Sequence, residues 1–329
     1  MRILSGINPS SNQGLHIGNY FGAVKPQVEL QAKEECFYFV ANLHSLNTIF
    51  DPKELQSNTQ NVYVEYISLG IDPEKSTFFV ESDIPEIAYL QTILNNVVTV
   101  AELKRMHGYK DKLTKVVDQD TISAGLFEYP VLMSADILAF NPDVIPVGDD
   151  QSQHVEICRE IARTFNNRYG NVLKIPELSV QKSTGRVTGT DGVRKMSKSI
   201  GNDISIFAPE NIIKKQIRGI TTDPARIKPT DPGDPAKNVC FSYLRILDHL
   251  DELQIEELEN RYRAGTVKDV EIKSLVEESF LYVFTPYRTK KAELLENPQL
   301  IADIRQKGME KARKVAGENI SRIKQACGI

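Results

Sequence analysis

The chain has 329 residues, 41% of them hydrophobic and 26% charged, with a formal net charge of -4. That is the profile of a globular protein with a substantial core, long enough for one large catalytic domain and a smaller second one. It excludes a protein that coats nucleic acid through bulk positive charge, so a nucleic-acid partner must be held at a local site. Four cysteines, Cys36, Cys158, Cys240 and Cys327, lie far apart without metal-ligand spacing; this predicts free thiols in a reducing compartment and no metal site built by the chain. The N-terminal apolar run is too short for a signal peptide, and no stretch approaches the ~18 apolar residues of a membrane span, so a cytoplasmic protein is expected.

In chain order, an apolar run at Arg2–Ser5 stops at Gly6. A polar loop from Asn8 to Gly14 follows, then an apolar-periodic helix from Ile17 to about Ala32. Strand, glycine-bearing loop and helix open a doubly wound α/β fold. Cys36–Ala41 reads as a buried strand. Asp51-Pro52 reads as an N-cap with proline at the first helical position of a helix that stops at Gly70. Thr77–Glu81 is a third strand, and Pro85 opens another helix. From about 101 to 140 helical periodicity replaces strands, as in an insertion between two halves of a parallel sheet. Val144–Val147 restores a strand, and a helix with Val155, Ile157, Ile161, Ala162 and Phe165 on one face runs to Gly170. After a short strand at Ile204–Phe207 the pattern is helical: Pro209–Arg218, Val239–Leu250, Glu252–Arg263, Val270–Phe284 and Ile301–Cys327. Thr222–Lys237 is a proline-rich linker. The reading is a Rossmann-like parallel-sheet domain over 1–206 with the helical insertion, followed by an all-helical region over 207–329.

Two loops carry chemistry. Gly14-Leu15-His16-Ile17-Gly18-Asn19 precedes the first long helix, whose N-terminal N–H groups suit phosphate oxygens. There His16 supplies a donor, and Gly18 lets a flat base approach the backbone. Lys195-Met196-Ser197-Lys198-Ser199, about 180 residues later, is a cationic loop suited to a polyphosphate. Alone, the first is also a capping turn and the second a solvated loop. It is the pairing that points to nucleotide chemistry.

H-I-G-N together with K-M-S-K-S resembles the two signatures of class I aminoacyl-tRNA synthetases. Val147-Gly148-Asp149-Asp150-Gln151-Ser152-Gln153-His154 is similar to a segment of the tryptophanyl and tyrosyl members, and Tyr129-Pro130-Val131-Leu132-Met133-Ser134-Ala135-Asp136-Ile137-Leu138 to one that marks the tryptophanyl branch. The likeness spans essentially the whole chain. It implies an ATP-dependent ligase that makes tryptophanyl-adenylate and transfers tryptophan to the 3′-terminal adenosine of its tRNA. Tyrosine as substrate, and a non-catalytic amino acid or tRNA binder, are the alternatives.

The resemblance also implies roles. Lys195, Lys198 and His16 act on the phosphates, with Mg²⁺ bridging phosphate oxygens. Asn8, His16, Gly18, Asn19, Gly148, Asp150, Val187, Met196 and Ser197 join those lysines around ATP. Asp136 accepts the indole N–H, Tyr129 and Gln151 hold the α-amino group, and Met133, His44, Ile145 and Val147 complete the tryptophan pocket. A surface ion pair for Asp136, and plain core roles for Met133, Ile145 and Val147, are the competing structural readings. The helical region is expected to bind the anticodon and the protein to be a homodimer. A basic excess on the last helix, including Arg305, Lys307, Lys311 and Arg313, would suit phosphates or a solvated face.

Overall fold

A computed structural model describes residues 1–9, 14–106, 109–110, 123–148, 152–180 and 187–329. Five strands form one parallel sheet, β1 (Arg2–Ile7), β2 (Glu35–Val40), β3 (Thr77–Val80), β4 (Val144–Val147) and β5 (Glu177–Val180), in the order β3-β2-β1-β4-β5. β1 pairs with β2 from Arg2↔Glu35 to Ile7↔Val40 and meets β4 through Ile3↔Val144. The strand order reverses at β1, which is the doubly wound architecture expected from the alternation of strands and helices.

Alternation along the strands builds a core on each face. Cys36, Tyr38 and Val40 point to one side, with Val62, Tyr63 and Tyr66 of the Pro52–Ser68 helix. Phe37 and Phe39 point to the other, with Leu90, Ala135 and Phe165. Local signals set the helix starts. The Asp51 carboxylate accepts from Lys53 N at 2.9 Å, and Pro52 and Pro85 sit at first helical positions.

Three elements differ from the sequence reading. β5 is absent from the sequence reading, because Glu177-Leu178-Ser179-Val180 mixes polar and apolar residues without a continuous β-rich run, and pairing with β4 supplies its register. The expected strand at Ile204–Phe207 is only an antiparallel bridge, His16↔Ser205; its partner is the signature loop rather than the sheet. The helix expected to end at Phe284 runs on as Asp269–Leu295, through Pro286. Proline inside a helix costs about 3 kcal/mol. Contacts just beyond it offset that cost: the Tyr287 hydroxyl meets that of Tyr20 at 3.0 Å, Arg288 donates to the carbonyls of Ile206 and Ala208, and Lys291 pairs with buried Glu65 at 2.8 Å.

The last helix, Pro298–Cys327, packs back on the sheet and lies along edge strand β3. It approaches so closely at Gly308 that a Cβ there would sit 1.9 Å from the Phe78 carbonyl oxygen. Its cations are largely engaged with the strand-bearing part of the chain. Arg305 forks onto Asp83 at 2.6 and 2.7 Å, Arg313 meets Glu86 at 3.0 Å, and Lys307 lies 4.0 Å from Glu74.

Gly308→Ala must therefore push a helix off a backbone carbonyl, which has no rotamer to yield. Thermal unfolding is expected to show a loss of at least about 2 kcal/mol. Gly317→Ala, in the same helix with nothing within 4 Å of the new methyl, is expected to be neutral or stabilising by up to about 1 kcal/mol. Equal effects of the two would refute this account of the packing.

Candidate active site

A cavity of about 650 Å³ opens at the carboxyl ends of β1 and β4, the point where strand order reverses. Open parallel sheets bind ligands at such a crevice. Ser5, Gly6 and Ile7 of β1 and Ile145, Pro146 and Val147 of β4 form its base. Gly6 is required there, because a Cβ would strike the Phe39 ring at 2.5 Å. A wall comes from the Ala124–Leu138 helix through Leu126, Tyr129, Met133 and Asp136. Pro130 in that helix has no N–H for the Leu126 carbonyl, so the turn facing the cavity is loosened at Leu126 and Tyr129.

Among the polar groups that line this space, an acid and a histidine are paired. Asp136 is 1% exposed, and its Oδ2 lies 2.9 Å from His44 Nε2. His44 stands on a single helical turn, Asn42–Ser45, directly after β2. Burial lowers its pKa, which leaves the imidazole neutral, while burial pushes the Asp136 carboxyl well above the usual carboxylate range. Behind them Glu81 is fully buried at the end of β3 and accepts from Leu43 N at 2.8 Å. The sequence reading passed over Glu81, since a strand-ending glutamate usually points to water. The donor atoms of His44, Glu81 and Asp136 lie within 4.8 Å of one another. The imidazole nitrogen is already taken by Asp136, so these contacts describe a hydrogen-bonded cluster rather than a ligand set. Tyr129 hydroxyl meets His154 Nε2 at 2.5 Å, and Asn8 Oδ1 accepts from Ser45 Oγ at 2.6 Å.

The two signature loops form a second centre beside this cavity. His16 is the N-cap of Ile17–Asn19, and its Nδ1 accepts from Asn19 N at 3.2 Å. The acceptor role fixes the neutral tautomer and leaves Nε2–H to donate. Burial, then the charges of Lys198 and Lys195, lower the His16 pKa to about 4. A Cβ on Gly18 would meet His16 Nδ1 at 2.9 Å and Met196 Cβ at 3.3 Å, so its missing side chain is what lets the loops touch. Downstream of Asn19 the helix widens into a π turn at Tyr20–Val24 just before Pro26, and Gly22 and Ala23 of that turn face the cavity.

The lysine loop is tied down more firmly than its composition suggests. Met196 N donates to Val187 O at 3.0 Å, and Met196 is 3% exposed. Buried Asn202 accepts from Ser197 N at 2.7 Å and donates to Asp191 and to the Lys195 carbonyl. Gly189 is excluded from bearing a side chain because Asn202 Nδ2 would lie 2.0 Å from its Cβ. Lys195 remains exposed. Lys198 is half-buried, and burial lowers its pKa against the opposing pull of Glu65 and Asp203.

Of the residues singled out from sequence, Asn8, Asn19, His44, Tyr129, Met133, Asp136, Ile145, Val147 and Gly148 line the cavity. His16, Gly18, Val187, Lys195, Met196, Ser197 and Lys198 belong instead to the signature-loop centre, and Asn19 is common to both. Asp150 and Gln151 lie outside the described residues. Glu81, Asn202 and Glu65 were missed. Gly201-Asn202, directly after the lysine loop, is a hint of Asn202 alone.

The chain matches the family model of class I tRNA synthetases (W and Y) over residues 1–285. It is 42% identical to a tryptophan--tRNA ligase of Campylobacter jejuni, with all of both chains aligned, and 39% identical to that of Rhodopirellula baltica over all of both chains. Its fold is similar to a crystal structure of tryptophanyl-tRNA synthetase from Campylobacter jejuni complexed with ADP and tryptophan, with a TM-score of 0.92, 42% identity and full coverage of both chains. It is also similar to the Mycoplasma pneumoniae enzyme, at a TM-score of 0.82 and 27% identity over 100% of this chain and 97% of that one. The chain belongs to the class I tRNA synthetases, in their tryptophan--tRNA ligase branch.

Proposed function

We propose that the chain activates L-tryptophan with ATP, giving tryptophanyl-adenylate and pyrophosphate, and passes tryptophan to the 3′-terminal adenosine of tRNA(Trp). The observation that carries this reading is the adjacency of two unlike centres. One is a cavity whose buried carboxylate is Asp136; the other is a neutral-histidine and lysine cluster beside it. The substrate carboxylate, ionised at neutral pH, attacks the α-phosphorus. A carboxylate–phosphorus bond forms, the bond to the β-phosphate bridge breaks, and pyrophosphate leaves. A hydroxyl of the terminal adenosine then attacks the acyl carbon, and AMP departs. The first step needs no base or covalent nucleophile; positioning and charge stabilisation supply the catalysis.

His16 donates from Nε2 to a phosphate oxygen, and its low pKa keeps it neutral in that role. Lys195 and Lys198 take the charge that grows on pyrophosphate, with Asn8, Gly18, Asn19, Gly148, Asp150, Val187, Met196 and Ser197 around the nucleotide. Mg²⁺ comes with the phosphates. Of the carboxylates that act on Lys198, Glu65 is committed to Leu15 N and Lys291, while Asp203 accepts one bond, from Ser205. Asp203 is thus the carboxylate here with capacity for such an ion, which would supply further charge neutralisation. Asp136 accepts the indole N–H, within walls made by Met133, Ile145 and Val147; Tyr129 and Gln151 hold the ammonium, and His44 orients Asp136. The region 207–329 binds the anticodon, and the enzyme acts as a cytoplasmic homodimer. No helix among the described residues is long and apolar enough to cross a membrane.

The chain contains no tryptophan, so the amino acid's own fluorescence reports binding without background from protein indoles. Asp136→Ala is expected to raise the dissociation constant about tenfold to a hundredfold, the range for losing a hydrogen bond to a charged acceptor. Unaltered binding would remove Asp136 from the site. The Lys195→Ala/Lys198→Ala double variant is expected to bind tryptophan normally and to lower pyrophosphate exchange about a hundredfold or more. Exchange at the wild-type rate would refute their role, and exchange driven by tyrosine but not tryptophan would refute the substrate.

A further inference from the structure

Asp136 in the cavity wall and Glu81 behind it approach each other out of contact with water. Glu81 is 0% exposed; its Oε2 accepts from Leu43 N, and its Oε1 has no hydrogen-bond partner. Asp136 is 1% exposed; its Oδ2 meets His44 Nε2, and its Oδ1 has no partner. His44 Nε2 lies 3.7 Å from Glu81 Oε1, so a single imidazole stands between two acids. Among the described residues, the other titratable groups named around them carry no fixed positive charge. Cys158 is buried within reach of the Asp136 charge, and the Tyr129 ring centre lies 6.4 Å from that of His44. Asp83, two residues beyond Glu81, is engaged by Arg305. Among the described residues, no lysine or arginine pairs with either carboxylate.

Two carboxylates held this close in an apolar interior cannot both be charged. A single proton between them satisfies both orphaned oxygens, where otherwise two acceptors would face each other. We propose that Glu81 is a positioning residue for tryptophan recognition: it keeps a proton at neutral pH and donates it to Asp136, making Asp136 the single anionic acceptor offered to the indole N–H. This rests on the assignment of Asp136 to the indole made above. Each carboxylate oxygen has two lone pairs, so bonds from His44 and Glu81 still leave Asp136 capacity for the ligand. Those bonds also fix the plane of its carboxylate.

The location of the proton follows from the surroundings. Burial raises both groups well above the carboxylate range. The Asp136 charge raises Glu81 further, whereas the hydrogen bond from Glu81 draws Asp136 down. The neutral form of Glu81 is the competent one, so its contribution is complete below its raised pKa and is lost as pH rises through it.

Tryptophan affinity, read from ligand fluorescence across pH, tests this in the full-length protein. Glu81→Leu removes the donor and is expected to weaken binding at neutral pH at least about tenfold. Glu81→Gln donates through its amide and cannot ionise. It is expected to recover binding to within about threefold of wild type and to lack the alkaline loss that Glu81 ionisation adds in wild type. The ligand's own ammonium titrates equally in all three proteins and cancels in the comparison. An unchanged KM for ATP in pyrophosphate exchange establishes that each variant is folded at the second centre. The proposal is overturned if Glu81→Gln binds as weakly as Glu81→Leu at neutral pH, or if its pH profile superimposes on that of wild type. Failure of the wild-type protein to bind tryptophan at any pH would instead overturn the ligase reading itself.

Discussion

Glu65 holds the molecule's working parts together. Its carboxylate is almost wholly removed from water, with a side-chain exposure of 2%, and it is shared between Leu15 N at 2.7 Å and Lys291 Nζ at 2.8 Å. A buried charge without partners is strongly destabilising, and one whose partners come from distant segments forces those segments to meet. Here they are the loop that carries His16, the C-terminal part of the Asp269–Leu295 helix and Glu65's own helix. The charge also acts on Lys198 of the second signature. Gly14, at φ +68°, runs so close to this carboxylate that a Cβ would sit 2.3 Å from Oε1. The approach of loop to carboxylate therefore tolerates nothing larger than glycine.

Two centres follow from that arrangement, and they use opposite physics. The cavity at the switch point is apolar with one acidic cluster, so discrimination there comes from desolvation and hydrogen-bond matching. The signature centre is cationic and backbone-lined, and burial holds its histidine neutral. Asn19 is the hinge between them, because its backbone N–H caps against His16 while the residue itself lines the cavity. Lys195 is exposed while Met196 and Asn202 are buried, so the loop presents its charge from an anchored base.

The C-terminal helices are less separate from the sheet than their order in the chain implies. Tyr287, Arg288 and Lys291 reach Tyr20, the carbonyls of Ile206 and Ala208, and Glu65 from a helix that local preference would have ended at Pro286. Gly308 lets the last helix lie against β3, and Asn319 donates to the Ala139 carbonyl at 2.8 Å. Cations that looked available for phosphates in sequence, Arg305 and Arg313 foremost, neutralise Asp83 and Glu86 instead. Charge counted along a helix could not distinguish a ligand-binding face from one that docks on acidic neighbours.

Much of the fold was legible in the sequence, because strand and helix periods, capping residues and the two signature loops are local patterns. The first three strands are anticipated by the β-rich runs at Arg2–Ser5, Cys36–Ala41 and Thr77–Glu81, although β1 continues through Gly6 to Ile7, and Asp51 and Pro85 mark their helices without outside help. Asp136 was readable too, as an acid flanked by apolar residues within a helix. The sequence by itself thus determined the parallel α/β plan and the family, and it pointed to some of the side chains that line the cavity. Tertiary structure alone decided the rest: that β5 exists, that the Asp269–Leu295 helix passes its proline, and that Glu65, Glu81 and Asn202 are buried. A carboxylate or amide has the same local preferences inside and outside a protein. Its role is set by which distant donors remove it from water, and those partners lie up to 226 residues away along the chain.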